Sequence, residues 1–548
     1  MEIALRSDMP TYAGGLGVLA GDTLRSAADL SLPLVAVTLV SRAGYFRQHL
    51  DAEGRQTENP APWDPAICAR ALDAKVAIRI EERAVWVGAW LYVVESHLGG
   101  RAPVILLDTD LPENASADRQ ITHYLYGGDD RYRLMQEMVL GIGGVRVLQA
   151  LGFEISAYHM NEGHAALLGV ELLRRYTYPS SELQSGESPY DVPRVRQLCR
   201  FTTHTPVEAG HDRFSYELAQ RLFGGTQGHA DATLIDIGEL QKLAGRECLN
   251  MTRLALSLSD FVNGVAKRHA EVSARMYPGY QVRAITNGVH PYTWTAPSFR
   301  RLFDRYAAGW CHEPELLSRT DSIRDAEILD AHTQAKAALI QRVRELTGIE
   351  LSPSAAILGL ARRMTAYKRP ELLFADLERL RTLALERPFQ IVLAGKAHPR
   401  DDEGKQLIVR LYREARALKG QIPVAYLPDY DLSLAQLLVA GCDLWLNTPL
   451  PPFEASGTSG MKAAFNGVPS LSVLDGWWVE GCIEGVTGWS IEDASTLYEK
   501  LGGTILPLFH AADRSGWVRT MKGSISKNAA FFNSHRMMRR YATEAYLR

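Results

Sequence analysis

Residues 356–369 read Ala356-Ile-Leu-Gly-Leu-Ala-Arg-Arg-Met-Thr-Ala-Tyr-Lys-Arg369, and this stretch decides the fold. Its first five residues form a short, wholly apolar run, the pattern of a strand buried on both faces. Four cations follow within eight residues: Arg362, Arg363, Lys368 and Arg369. A cationic run is usually a solvated face. Placed directly after a buried strand, it points instead into the crevice at the carboxyl edge of a parallel sheet, where α/β proteins bind ligands. A small anion, phosphate above all, is the natural guest of such a cluster.

The surrounding chain repeats the alternation. Helical patterns at 371–385 and 405–418 separate apolar runs at 391–394 and 424–427, and a further run lies at 444–446. Toward the N-terminus, apolar runs at 34–40, 104–107 and 201–203 alternate with helical patterns at 131–151 and 163–176. A helix at 326–346 leads into the strand at 356. Strand–helix alternation of this kind predicts α/β architecture with parallel sheets. Residues 286–320 are rich in aromatics and turn formers and have no clean period, so a domain boundary is expected at about 290–300. Residues 517–548 read as helical and basic, with Phe531, Phe532, Met537 and Met538 as an apolar stripe.

Composition narrows the function. The 548 residues carry 60 Lys+Arg against 63 Asp+Glu, a net charge of −3, which argues against a general nucleic-acid binder. With 46% hydrophobic and 22% charged residues, disorder is excluded. No run approaches the roughly 18 apolar residues of a membrane helix. Glu2, Arg6 and Asp8 precede Pro10, which is no signal-peptide pattern. The cysteines (Cys68, Cys199, Cys248, Cys311, Cys442, Cys482) are scattered without a Cys-x-x-Cys pair. They read as free thiols of a cytoplasmic protein, neither a disulfide framework nor a zinc site.

Further motifs carry chemistry. Tyr12-Ala-Gly-Gly-Leu-Gly-Val-Leu-Ala-Gly-Asp22 clusters glycines ahead of an expected helix at 23–30. Gly14 and Gly15 let backbone N–H groups approach an anion, and the helix adds its positive end. As a dinucleotide fingerprint the stretch is weak, because Pro10 stands where the preceding strand should run. Glu454-Ala-Ser-Gly-Thr-Ser-Gly-Met-Lys462 opens a helix after a strand and a proline-rich loop. The N–H groups of Thr458, Ser459 and Gly460 form a second phosphate cradle. Lys462, one turn on, is placed to form a Schiff base with pyridoxal phosphate (PLP), or is simply a surface lysine. Polar residues end other strands: Asn161-Glu-Gly-His164, Thr202-Thr-His204 and Thr286-Asn-Gly288. Asn and His at several strand ends on one half suit a hydroxyl-rich ligand. Asp108-Thr-Asp110 is too short a match for a metal motif, and no zinc signature is present, so no metal is expected.

With these residues assembled, the chain resembles the α-glucan (glycogen, starch or maltodextrin) phosphorylases, in their shorter bacterial and archaeal branch. The match runs from the glycine stretch to about Gly481. The segment ending at Lys462 is similar to the family's PLP-lysine segment, and 362–369 to its phosphate-site segment. Thr286-Asn-Gly288 with Trp294 resembles its domain junction. The resemblance implies two Rossmann-like domains in the GT-B arrangement, with the active site in the cleft between them. They span 1–290 and 291–515, and a C-terminal helix at 516–548 crosses back. It also implies retaining phosphorolysis: inorganic phosphate attacks the non-reducing-end glucosyl unit of an α-1,4-glucan and releases glucose 1-phosphate.

By the same resemblance Lys462 carries PLP, and Thr458, Ser459, Gly460 and Arg362 hold its phosphate, with Tyr430 packed on the cofactor and Gly15 nearby. Arg363, Lys368, Gly14 and Gly15 hold the substrate phosphate. Glu454, Ser456, Gly457, His204, Asn287 and His164 bind glucose, His204 beside the reacting centre. Two phosphates about 5 Å apart repel by roughly 3 kcal/mol at an effective dielectric of about 20, which the cations offset. The partners implied are glucan and phosphate, with no nucleic acid and no membrane, and a homodimer or higher oligomer is compatible.

The chain departs from the family pattern in places. Members usually carry a strand just before the segment 2–5, so the first strand of the sheet is expected to be missing here, or the start misplaced. Arg362 stands where many members have lysine, and Asp431 where long members have a cation. The rival readings are a nucleotide-sugar-dependent GT-B glycosyltransferase, like a glycogen synthase, and a non-catalytic glycan-binding relic.

Overall fold

The run at 356–360 becomes the strand Ala356–Ala361, in the middle of a six-stranded, all-parallel sheet. The computed structural model describes residues 1–207, 210–223 and 235–547. Across the sheet the strands run Val424–Leu427, Phe389–Ala394, Ala356–Ala361, Leu444–Asn447, Ser470–Val473 and Gly488–Ile491. Counted along the chain, that is the order 3-2-1-4-5-6 of a doubly wound sheet. Every residue of the first five of these strands is buried, and the first four show it in the sequence as apolar runs. Ser470–Val473 and Gly488–Ile491 gave no such signal, because serine and glycine dilute the pattern. In this order Ala356–Ala361 and Leu444–Asn447 are neighbours whose following segments diverge. The crevice between them opens at 362–369 and 448–454.

A second, four-stranded parallel sheet has the order Arg283–Ala284, Phe261–Gly264, Cys199–Thr202, Tyr158–Asn161. The motifs at 161–164, 202–204 and 286–288 all leave its strand ends. Beside it lies a mixed sheet, in which Ala36–Leu39 runs parallel to Arg101–Asp108. The long strands Arg83–Glu95 and Arg70–Ile80 extend it antiparallel. This hairpin is absent from the sequence reading for a local reason. Its turn at Glu81-Glu82 puts Glu81 at φ 54°, where Gly or Asn would have announced it.

Helices fall near their expected places, as Asp325–Thr347, Leu377–Glu386 and Asp402–Ala417. The pattern at 131–151 becomes Asp130–Met138 and Gly144–Ala150, joined by the wider turn Val139–Gly143. The glycine stretch is a correction. It is no loop ahead of a helix at 23–30; the helix itself begins at Gly15 and runs to Asp29. Glycine is a poor helix former, so tertiary contacts hold this first turn: Ala4 N donates to Gly17 O at 2.8 Å, and Arg25 Nη2 to Leu5 O at 2.7 Å.

The C-terminal segment lies across this glycine helix. Met537, Met538 and Tyr541 of the helix Ser534–Tyr541 share a core with Leu19 and Ala27. Val289 N donates to Phe532 O at 3.2 Å and Ser534 N to Val289 O at 2.9 Å. Phe531 departs from the expected stripe: it is 50% exposed, while Phe532 is buried. Among the described residues all six cysteines are free, and no helix is long and apolar enough to cross a membrane.

Candidate active site

The crevice of the six-stranded sheet is stapled shut at its base. Thr448 Oγ1 donates to Lys368 O (3.1 Å) and Arg369 O (2.9 Å), and Arg369 Nη2 to Pro449 O (2.7 Å). Arg369 adopts φ 44°, a left-handed turn that closes the cationic run. Arg362 Nη2 and Lys368 Nζ both donate to Glu454 Oε2, at 3.0 and 2.6 Å. Burial pushes the Glu454 carboxyl up, but Lys368 and Arg362 outweigh it and hold the group below its ordinary range. Glu454 is fixed from behind by its own N–H, which donates to Asp475 Oδ2 at 2.9 Å. The structure therefore brings three expected site residues into direct contact. Arg362 Nε remains buried without a partner.

Arg363 differs from its neighbours. It is solvent-exposed, yet Tyr45, Glu2, Tyr126 and Tyr367 surround it. Among the described residues nothing hydrogen-bonds to its guanidinium and no carboxylate pairs with it. A β-carbon on Gly14 would lie 3.2 Å from Arg363 Nη2, so the cation stands against the start of the glycine helix. An unpaired cation facing free helix N–H groups is an anion site in physical terms.

Lys462 is 7% exposed, on the helix Ser459–Ala464. No hydrogen-bond acceptor among the described residues reaches its Nζ, which lies 4.2 Å over the Trp294 ring. Burial lowers its pKa to about 8, with Asp22 pulling weakly the other way. Trp294 Nε1 donates to Asp22 Oδ2 at 2.7 Å, which ties the lysine's aromatic floor to the glycine helix. Ser459 Oγ accepts from Trp445 Nε1 at 3.0 Å. Gly460 has no room for a side chain: a β-carbon would lie 2.7 Å from the Trp477 ring and 2.9 Å from Ser470 Oγ. Thr458 precedes this helix as its cap residue, in helical conformation. These features fit a group with an aldehyde and a phosphate. The pKa of the amine is drawn down toward neutral, a helix opens at Ser459 just before it, and Arg362 Nε is buried without a partner. Tyr430 is raised above its ordinary pKa by burial, with Tyr12 and Asp431 adding to it.

The polar strand ends form a second group. His204 Nε2 lies 2.5 Å from Asn161 Oδ1, and because an amide oxygen only accepts, the ring proton sits on Nε2. Burial, with His269 and His159 nearby, pushes the His204 pKa down to about 3, so the ring is neutral. Glu162 orients this segment from a left-handed φ of 71°, accepting from His204 N (2.8 Å) and Thr205 Oγ1 (2.9 Å). Asn287 Oδ1, Ser456 Oγ and His164 Nδ1 are buried without partners. Ser456 and Thr286, the neighbour of Asn287, are joined through one short helix. Ser456 O accepts from Trp477 N at 2.9 Å, and Glu480, on that helix, accepts from Thr286 Oγ1. Gly457 turns at φ 78° against Glu454. His164 stands apart, 3.5 Å from Asp212 and edge-on to Tyr126. No hydrogen bond joins the His204 group to the Arg362–Glu454 cluster among the described residues.

Sequence reasoning passed over Glu2, Tyr126, Glu162 and Asp475. Each acts through tertiary contacts, and only the lone acid of Glu2 in the apolar run 1–5 gave any signal.

The family model for carbohydrate phosphorylases matches residues 148–486. Over its whole length the chain is 36% identical to the maltodextrin phosphorylase of Thermococcus litoralis and 36% identical to the glycogen phosphorylase of Mycobacterium tuberculosis, covering 70% of each. It is 34% identical to the glycogen phosphorylase of Aquifex aeolicus, of which it covers 85%.

Proposed function

The chain belongs to the carbohydrate phosphorylase family, and from that membership and the site geometry we propose that it is a PLP-dependent α-1,4-glucan phosphorylase. The reaction is retaining: inorganic phosphate takes the non-reducing-end glucosyl unit, giving glucose 1-phosphate and a shortened chain. The two parallel sheets are read as the Rossmann-like halves of a GT-B arrangement, 1–290 and 291–515, with 516–548 bracing the first half. The observation that carries the proposal is Lys462, a buried amine without an acceptor and with its pKa lowered to about 8. A nucleotide-sugar transferase has no use for such a group.

Lys462 would hold the cofactor aldehyde, and Thr458, Ser459, Gly460 and Arg362 its phosphate. When bound, PLP supplies its phosphate as a proton-exchanging partner for the substrate phosphate. Arg363 and Lys368, with the first amides of the glycine helix, bind and orient the substrate phosphate below the sugar. Their positive charge offsets the repulsion between the phosphate groups, and the phosphate they hold stabilises the developing oxocarbenium ion. His204, neutral at working pH, donates or accepts hydrogen bonds and does not act as an acid. The unpartnered acceptors Asn287 Oδ1 and Ser456 Oγ suit sugar hydroxyls, and Glu454 joins them as its cations turn to phosphate.

Purified protein decides the matter. Acid release of PLP, together with phosphate-dependent formation of glucose 1-phosphate from maltodextrin, is expected. Protein free of PLP that lengthens glucan from a nucleotide sugar would overturn the reading.

A further inference from the structure

The helix Gly15–Asp29 starts without a cap of its own. Gly14, its cap residue, has no side chain to accept from the first turn. The first bond within the helix runs from Val18 N to Gly14 O at 3.2 Å. The N–H groups of Gly15, Leu16 and Gly17 thus have no acceptor inside the helix. None among the described residues accepts from them.

Glu2 supplies a cap displaced by one step. Its Oε2 accepts from Ala13 N at 2.6 Å and Gly14 N at 3.0 Å, and its Oε1 from the Tyr126 hydroxyl at 3.1 Å. An ordinary capping carboxylate takes the second or third amide inside the helix. Glu2 takes the two amides outside it and leaves the first turn open. Gly17 makes room for this reach, since a β-carbon there would lie 2.7 Å from Glu2 Oε2. Tyr126 is held in turn, with Arg133 over its ring at 4.7 Å and His164 against its edge at 5.9 Å. On the crevice side of Gly14 stands Arg363, unpaired.

We propose that Glu2 is a positioning residue for the anion site. It locks Ala13 and Gly14 so that the open amides of Gly15, Leu16 and Gly17 face the anion held by Arg363. It does this without touching that anion, because both carboxylate oxygens are occupied by donors. Tyr126 and His164 form the brace behind it, which gives His164 a supporting place in the site. The identity of the anion as substrate phosphate rests on the phosphorylase reading above.

The test uses Glu2→Leu, Glu2→Gln and Tyr126→Phe, with Asp8→Asn, an exposed carboxylate six residues further on, as control. Phosphate is titrated calorimetrically into each protein, and the KM values for phosphate and glucan are measured separately. Glu2→Leu is expected to weaken phosphate about tenfold or more by both readouts and to leave the glucan KM within about twofold. Glu2→Gln, which keeps one acceptor oxygen, should recover most of the loss, and Tyr126→Phe should shift phosphate alone, by less. Unchanged phosphate affinity in Glu2→Leu, or an equal rise in both KM values, overturns the proposal. If Glu2→Leu does not fold, unchanged phosphate affinity in Tyr126→Phe overturns it. Wild-type protein without phosphorolysis would instead sink the phosphorylase reading, and the calorimetric comparison would still decide the role of Glu2.

Discussion

Replacing Lys462 with methionine is expected to stabilise the cofactor-free protein at neutral pH. The lysine is buried and its charge has only the Trp294 face and a distant Asp22 to compensate it. A pKa lowered from 10.5 to about 8 means that folding holds an ammonium the site disfavours. The cost is about 3 kcal/mol. Losing the cation–π contact with Trp294 takes back about 1 kcal/mol, which leaves a net gain of about 2 kcal/mol for a methionine of similar length. The sign follows from proton binding. Below about pH 8 the lysine is charged in both states, and the penalty is complete. Between about 8 and 10.5 the unfolded chain binds more protons than the folded one, so wild-type stability rises with pH. Above 10.5 both forms are neutral and the gap closes. Denaturant unfolding of cofactor-free wild type and Lys462→Met, at pH steps from 7 to 10.5, measures this difference, because all other titrating groups cancel. A variant less stable than wild type at pH 7, or a gap that does not change with pH, would refute the reasoning.

Two further predictions rest on other ion pairs. Glu454→Gln leaves Arg362 and Lys368 side by side without their shared carboxylate, and should cost about 3 kcal/mol at low anion concentration. Added phosphate should raise the variant's melting temperature more than the wild type's, and an equal response would count against the pairing. Asp29 accepts from His290 at 2.7 Å and lies 3.2 Å from His535, joining the glycine helix to the C-terminal helix. Burial opposes its charge, but these imidazoles hold the carboxyl below 3.8. Its contribution is therefore complete above pH 3.8 and is lost as pH falls through the lower folded value. Asp29→Asn should lose about 2 kcal/mol at pH 7 and unfold in acid with a shallower dependence, as followed by circular dichroism.

The sequence by itself determined the parallel α/β class, since most of the fully buried strands are apolar along nearly their whole length. It also placed the cationic run at a strand end and Lys462 at a helix start, because both motifs are contiguous and their chemistry is local. Tertiary structure alone decided the rest. The glycine stretch looked like a loop because glycine lowers helix propensity, and contacts from Ala4, Leu5 and Arg25 made it a helix. The hairpin at Glu81 escaped notice because its turn uses a residue that does not advertise a left-handed backbone. Arg362, Arg363 and Lys368 are indistinguishable as cations in a row. Folding alone decides that two of them share Glu454 while Arg363 faces Gly14 unpaired. Glu2 acts eleven and twelve residues down the chain, through the amides of Ala13 and Gly14. Backbone amides carry no side-chain signature, so no pattern of residue types could have disclosed that contact.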